Sequence, residues 1–203
     1  NHIVIVPGAN GLVDRSYIDA SLETIAGANY ALFQLEIPLN TVVYALSRLR
    51  EHSCTSILDP APVPDGGLPD ELLEYVDVLT PNESEAAALS GIRINSEADA
   101  RKAAEAIRAR GASKVIIKMG SAGAYVADDE GIRAVPGFSV DAVDTTAAGD
   151  AFNAGFAYAL GSGKSIEAAV RYGNAVGAAV CTGFGAQSAM PTAEMIEEEI
   201  SDQ

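Results

Sequence analysis

The chain of 203 residues is 48% hydrophobic and 20% charged, which suits one moderately sized domain with a substantial core and excludes a disordered chain. Its net charge of -15 would repel other polyanions, so nucleic acid and an anionic membrane surface are not expected as partners. Cys54 and Cys181 form no CxxC pair, and His2 and His52 lack an HExxH spacing, so no disulfide framework or zinc site is expected. With no recognisable signal peptide, we expect a soluble, cytoplasmic protein.

Short β-branched runs alternate with helical patterns in the first part of the chain. The sequence predicts strands over residues 3–6, 30–34, 55–59, 76–80 and 114–119. It predicts helices over residues 16–26, 39–51, 69–74 and 97–110. Because short connections join these elements, the alternation indicates an α/β fold, with a parallel sheet covered by helices on both faces.

The second part of the chain departs from this alternation. Residues 120–134 carry Asp-Asp-Glu-Gly between two short β runs, which predicts a hairpin. Three helices are predicted to follow in succession, over residues 146–160, 165–181 and 192–201. No linker, internal repeat or low-complexity tract divides the chain, so we expect a single domain over residues 1–203.

Polar or glycine-rich turns follow two of the predicted strands and the hairpin. They are TPNESE (80–85), KMGSAG (118–123) and DTTAAGD (144–150). In sheets of this kind, ligands bind at the carboxyl ends of the strands. We therefore expect the three turns to form one site.

The stretch DTTAAGDAFNAGF, residues 144–156, places small residues at the start of an apolar helix. If this helix begins near Ala147, the amides of residues 147–150 are first-turn donors without intrahelical partners, and they form an anion hole that the helix dipole strengthens. The Asp150 carboxylate would then stand beside a bound phosphate and could accept a hydroxyl proton during in-line transfer. A capped helix with a tightly packed start is the alternative. No GxxxxGK[ST] motif occurs, which excludes a P-loop enzyme.

This stretch resembles the second signature of the ribokinase (PfkB) family of carbohydrate kinases. Further segments match the family's patterns in order along nearly the whole chain: VPGAN (6–10), FQLEIP (33–38), LDPAP (58–62), LTPNESEAAALSGI (79–92), IIKMGSAGAYV (116–126), VPGFSVDAVDTTAAGDAFNAGF (135–156) and GAQSAMP (185–191). The Gln-Leu-Glu-x-Pro, Asp-Pro-Ala-Pro and Gly-Ala-Gln elements fit the ribokinase branch. The resemblance implies a ribokinase-like, Rossmann-type three-layer sandwich with a mostly parallel central sheet.

The resemblance also implies an activity, namely ATP-dependent phosphorylation of D-ribose to D-ribose 5-phosphate with Mg²⁺. In that activity Asp150 is the catalytic base that deprotonates the sugar, and Ala147, Ala148 and Gly149 contribute the anion hole. Glu36 matches a carboxylate that hydrogen-bonds the sugar, although the residue alone would be read as a surface carboxylate.

Further positions of the family concern the nucleotide. Asn82 and Glu85 match residues that help to hold the Mg-nucleotide through water, whereas the residues alone would be read as a helix cap and its capping-box partner. Asn174 would lie near the adenine. The remaining nucleotide-lining positions are Lys118, Met119, Gly120, Ser121, Ala122, Gly123 and Gly149. Lys118 departs from the family's usual threonine, and it could contact a phosphate or pair with a neighbouring acid.

A monovalent cation, K⁺, is a second cofactor that the resemblance implies, bound mostly by backbone oxygens. The matching positions are Asp144, Thr146, Val180, Gly183, Gly185 and Ala189. Ala189 departs from the pattern because a serine often stands there, and the adjacent Ser188 could replace it. Family members often pair through their β lid, so a homodimer is expected for the intact protein.

The family's N-terminal part, with its Asp, its Gly-Gly-rich sugar-binding stretch and most of the β lid, has no match in this chain, and we interpret residues 1–6 as the last lid strand. We therefore interpret the chain as the C-terminal two thirds of such a kinase. The alternatives are another sugar or nucleoside kinase of the family, or a nucleotide-binding fragment without catalysis. A Rossmann dehydrogenase is not favoured, because no predicted strand is followed by GxGxxG.

Overall fold

A single mixed sheet of six strands organises the part of the chain that the structure describes, residues 5–201. The strands lie side by side in chain order: β1 Tyr30–Phe33, β2 Thr55–Leu58, β3 Val78–Leu79, β4 Lys114–Lys118, β5 Ala124–Asp128 and β6 Gly131–Val135. Strands β1 to β4 run parallel, and β5 and β6 form the predicted antiparallel hairpin beside β4. The predicted, mostly parallel sheet is thus confirmed.

Eight helices in the described residues cover this sheet. They are α1 Arg15–Ala26, α2 Leu39–Leu49, α3 Asp70–Tyr75, α4 Glu83–Ser90, α5 Glu97–Ala109, α6 Ala148–Gly161, α7 Ile166–Val180 and α8 Ala193–Ser201. The helices predicted from periodicity lie within two residues of these bounds. None of the helices in residues 5–201 is long and apolar enough to span a membrane.

Two predicted strands differ from the structure. Of the predicted strand 3–6, residues 3 and 4 lie outside the described residues, while Ile5 and Val6 are exposed and belong to no strand, so the lid strand interpreted over residues 1–6 stays a prediction. The predicted strand 76–80 is reduced to the two residues of β3. The reason is Asp77, whose Oδ2 accepts the Ser56 amide at 2.7 Å, a donor that a longer ladder would have used.

Alternation along the strands gives the sheet one apolar core on each face. Ile57, Ile116 and Val126 point to the side covered by α6, α7 and α8. Their neighbours Leu58 and Ile117 point to the side covered by α2, α3, α4 and α5. Because successive side chains of a strand alternate between faces, β-branched and leucine runs can fill both cores at once. This arrangement confirms the predicted three-layer α/β sandwich.

A close approach of α6 to α7 sets the position of the α6 start. A Cβ on Gly173 would lie 2.9 Å from the Phe152 carbonyl oxygen, so glycine lets the two helices touch there. The rings of Phe152 and Phe156 stack at 6.1 Å, and both side chains are buried. The packed helix pair is therefore a rigid base for residues 147–150.

A buried ion pair on the hairpin gives the fold a pH dependence. Both Asp128 oxygens accept from Arg133, at 2.8 and 2.9 Å, and the Asp128 side chain is only 8% exposed. The hydrogen bonds from the Arg133 side chain, aided by the Glu130 amide, lower the pKa of Asp128 below its ordinary value of 3.8. Folding therefore favours the ionised form of this carboxyl.

We expect the free energy of unfolding to decline as the pH falls below about 4, because the unfolded chain then binds a proton that folded Asp128 still excludes. Asp128→Asn should cost about 2 kcal/mol at neutral pH, since it removes a charge-assisted pair. Measured by urea unfolding, the difference in unfolding free energy between Asp128→Asn and the parent protein should shrink towards pH 3. Asp129→Asn, at a carboxylate that is 96% exposed, is the control with a small expected effect. A difference for Asp128→Asn that stays constant with pH would contradict the assignment.

Candidate active site

The three polar turns predicted to form one site do meet at the carboxyl edge of the sheet. The Lys118 amide donates to the Pro81 carbonyl at 2.8 Å, which joins the turn after β4 to the turn after β3. A cavity of about 780 Å³ lies between these turns and the start of α6. The predicted residues that line it are Asn82, Lys118, Gly120, Ser121, Gly123, Ala148, Gly149 and Asn174. We call it the large cavity.

Three of the predicted nucleotide-site residues do not line the large cavity, namely Met119, Ala122 and Glu85. Met119 packs against the core on the α2 to α5 side of the sheet. Ala122 is exposed in the 3-10 turn Gly120–Ala122, where its amide donates to the Met119 carbonyl at 3.1 Å. The turn is tight because the Gly123 amide closes it on the Gly120 carbonyl at 3.0 Å, and Gly120, Ser121 and Gly123 line the cavity.

The start of α6 differs from the predicted helix boundary. Ala147 has a φ of 62°, in the left-handed region, so α6 begins at Ala148 rather than at Thr146. The Ala148 amide is directed to the Thr145 carbonyl at 3.2 Å. The amides of Gly149 and Asp150 lie in the first turn, where helical amides have no intrahelical acceptor and the helix dipole favours an anion. Of the amides predicted to form the anion hole, that of Ala148 thus has an acceptor within the protein, and the anion hole itself stays a prediction.

Asp150 faces a second, smaller cavity on the other side of this turn. This cavity of about 200 Å³ is lined by Gln34, Asp59, Asp150 and Asn153 together with Leu32, Phe33 and Ile57. The exposed Asp150 carboxylate accepts from Gln34 Nε2 at 2.6 Å. The first turn of α6 therefore separates the two cavities, with Gly149 bordering the large one and Asp150 the small one.

A buried polar cluster that the sequence did not reveal lies beneath this turn. Asp59 Oδ2 accepts from Lys118 Nζ at 2.8 Å and from Asn153 Nδ2 at 2.5 Å. The two partners of Asp59 come from β4 and α6, and all three side chains are nearly buried. Two signals in the sequence could have indicated these residues. Asp59 directly follows β2, at the carboxyl edge of the sheet, and Asn153 lies three residues after Asp150 on the same helix.

Asn82 and Glu85 form a capping box at the start of α4. The Glu85 amide donates to Asn82 Oδ1 at 2.9 Å, and the Asn82 amide donates to Glu85 Oε2 at 2.8 Å. Burial raises the pKa of Glu85, and the charge of Asp59 adds to the effect. The helix cap and capping-box partner expected from these two residues alone are therefore present. Asn82 borders the large cavity, whereas Glu85 does not line it.

Of Asn174 and Glu36, only Asn174 lines a cavity of the site. Asn174 on α7 borders the large cavity and donates to the carbonyls of Val135 and Pro136 at 3.2 and 3.0 Å. Glu36 is exposed two residues beyond Gln34 and lines neither cavity. Its predicted contact with a sugar stays a prediction.

The loops predicted to hold a monovalent cation are joined by Asp144. Its Oδ1 accepts from the Thr146 hydroxyl at 2.7 Å, and its Oδ2 accepts from the Gly185 amide at 3.0 Å. These hydrogen bonds, the Thr146 hydroxyl first, lower the pKa of Asp144. Two other predicted positions meet in the second loop, because a Cβ on Gly183 would lie 3.1 Å from Ala189 Cβ. Val180, the last residue of α7, is fully buried.

The sequence and the fold of this chain are similar to those of known proteins. The family profile described as pfkB family carbohydrate kinase matches residues 2–193. A ribokinase of Haemophilus influenzae is 41% identical over 192 residues, which cover 95% of this chain and 62% of that protein. The crystal structure of a Thermotoga maritima ribokinase is 39% identical with a TM-score of 0.88, covering 98% of this chain and 65% of that one.

A third relative was solved with ligands. The Arabidopsis thaliana ribokinase complexed with ribose and ATP is 30% identical with a TM-score of 0.90, covering 97% of this chain and 64% of that one. The chain thus spans slightly less than two thirds of the length of these relatives. Since the family profile covers almost all of the chain and the fold agrees over the same length, the chain belongs to the pfkB family of carbohydrate kinases.

Proposed function

We propose that the chain carries the phosphoryl-transfer site of a kinase that converts ATP and D-ribose to ADP and D-ribose 5-phosphate. The observation that carries the proposal is the first turn of α6, which presents backbone amides to the large cavity and the Asp150 carboxylate to the small one. A donor and an acceptor bound in the two cavities would meet at this turn. The names of the similar proteins, one of them solved with ribose and ATP, support the choice of substrates.

The large cavity suits the nucleotide. Its volume of about 780 Å³ lies within the range that drug-sized ligands occupy. Phe138, Phe152 and Ala178 supply apolar surface for a base, and Gly120, Ser121 and Gly149 leave room for phosphates near backbone amides. The terminal phosphate would rest against the amides of Gly149 and Asp150.

The chemistry follows from that placement. The sugar hydroxyl oxygen bonds to the γ-phosphorus while the bond from this phosphorus to the bridging oxygen of ADP breaks and leaves its electron pair on ADP. The hydroxyl proton passes to Asp150. The amides at the start of α6 stabilise the negative charge on the transferring group, because they are fixed in position before the reaction. Gln34 holds the Asp150 carboxylate towards the small cavity.

Mg²⁺ fits this site as a companion of the nucleotide. Among residues 5–201, no three His, Cys, Asp or Glu side chains are grouped to hold a metal ion. Mg²⁺ commonly uses one or two carboxylates and completes its shell with phosphate oxygens and water, so Glu85 and Asn82 would serve through water. Bound there, the ion would neutralise phosphate charge. We propose K⁺ as an activator between the Asp144 and Gly185 loops.

A homodimer and a cytoplasmic location belong to the same proposal, because they follow from the family resemblance. Within the family, another sugar or a nucleoside remains the alternative acceptor. A nucleotide-binding chain without catalysis is the alternative outside it.

The test measures ATP turnover by the purified chain with Mg²⁺ in potassium and in sodium buffer, with and without D-ribose. We expect ADP formation that depends on D-ribose and is faster in potassium, with a product identified as the 5-phosphate by ³¹P NMR. Faster turnover with 2-deoxyribose or a nucleoside would transfer the proposal to that acceptor. ATP binding without turnover on any of them would favour the non-catalytic alternative.

A further inference from the structure

Lys118 lies where the large cavity and the buried cluster meet. It is the last residue of β4 and lines the large cavity, while its ammonium pairs with Asp59 at 2.8 Å. The two side chains are 12% and 7% exposed. Removing two charges from water costs about as much as their attraction returns, so such a pair adds little to stability by itself. Stability therefore does not by itself explain why this pair is buried beside the cavity.

The ammonium stands directly beside the anion-binding turn. A Cβ placed on Gly149 would lie 3.4 Å from Lys118 Nζ and 4.0 Å from Asp59 Oδ2. The amides of Gly149 and Asp150 belong to the same turn. A phosphate held by these amides would thus lie within reach of the Lys118 ammonium.

The cluster leaves hydrogen-bonding capacity unused. An ammonium has three donors, and within residues 5–201 the Lys118 ammonium donates one hydrogen bond, to Asp59. Asp59 Oδ1 and Asn153 Oδ1 are buried without a hydrogen-bond partner among the described residues. A cluster that served packing alone would be expected to satisfy its buried atoms. The free donors of Lys118 can turn to a ligand.

We propose that Lys118 is a catalytic residue that contacts the terminal phosphate of the bound nucleotide, and that Asp59 and Asn153 position it. The proposal rests on the proposed function. The ion pair keeps the empty site close to neutral, so a lysine can be buried there without an isolated charge. When a nucleoside triphosphate binds, the ammonium adds a positive charge to the dipole of α6 at the transferring group. Asp59 fixes the ammonium through one donor and leaves the other two.

The test compares ATP with ADP, because only ATP carries the phosphate that Lys118 would contact. Dissociation constants of both nucleotides are measured by calorimetry for the parent chain and for Lys118→Met. We expect the affinity for ATP to fall about tenfold or more, the size of one lost charge-assisted contact, while that for ADP changes by less than about twofold. Lys118→Arg should restore part of the preference for ATP. Lys114→Met, at the far end of β4, is the control expected to change neither affinity.

A second pair of variants guards against unfolding, because Lys118→Met leaves the buried Asp59 without a countercharge. Asp59→Asn and the double variant Asp59→Asn, Lys118→Met differ only in the lysine, and the loss of ATP preference should appear between them. Equal losses for ATP and ADP, or no loss, would overturn the role of Lys118 while leaving the nucleotide site in place. If the parent chain binds neither nucleotide, the proposed function fails first and this inference with it.

Discussion

Replacing Asp150 with asparagine should lower turnover about 10²–10⁴-fold, the usual contribution of one positioned general base. The amide has the shape of the carboxylate and can still accept from Gln34 Nε2, which donates to Asp150 at 2.6 Å. It cannot take up the proton of an attacking hydroxyl. The backbone amides of the first turn of α6 are unchanged, so the affinity for ATP should stay near that of the parent chain.

The measurement is turnover at saturating ATP and sugar, with calorimetric ATP binding and thermal unfolding on the same preparations. Asp141→Asn is the matched control, because Asp141 is an exposed aspartate in the loop before α6 and lines neither cavity. Its turnover should equal that of the parent chain. Near-normal turnover of Asp150→Asn would remove the residue from the mechanism, and a parallel loss in ATP affinity would point to a binding role instead.

The fold was predictable where periodicity is strong. The helix at Glu97–Ala109 has apolar residues at helical spacing, and β4 is a β-branched run, so both were placed nearly correctly. Ala147 was not predictable, since alanine in the left-handed region costs about 1–2 kcal/mol and no local propensity favours it. Its conformation depends on packing around α6, which a sequence pattern does not express.

The site was predictable only as far as short motifs reach. The stretch around Asp150 and the turn around Gly120 carried a recognisable pattern, and the structure brings both to one cavity edge. Asp59 and Asn153 were missed, because Asp59 lies 94 residues from Asn153 and 59 residues from Lys118 in sequence. Both readings of Lys118 were open from sequence. The structure shows the first reading, an ion pair with a neighbouring acid, which is Asp59. The second reading, contact with a phosphate, stays a prediction, and the closeness of the Lys118 ammonium to Gly149 supports it.

Gly123 is the position where a single methyl group should damage both the fold and the large cavity. Its φ of 96° lies in the region that favours glycine, and a Cβ there would overlap the Val135 carbonyl oxygen and the Gly137 amide nitrogen. These are backbone atoms of β6 and the loop after it, which cannot rotate away. Gly123→Ala must therefore push the end of β6 from the start of β5 and disturb the turn that its own amide closes on Gly120.

We expect Gly123→Ala to lower the free energy of unfolding by about 3 kcal/mol or more, because backbone strain and overpacking each cost about 1–3 kcal/mol. Nucleotide affinity should fall as well, since Gly120 and Ser121 line the large cavity. Urea unfolding of Gly131→Ala separates the cost of backbone strain from the cost of overpacking. Gly131 has a φ of 116° in the same hairpin, but a Cβ there would meet nothing within 4 Å. Equal losses of unfolding free energy in the two variants would mean that backbone strain alone is responsible. A much larger loss for Gly123→Ala would show that the close contact between the backbone at Gly123 and the end of β6 holds the turn that lines the large cavity.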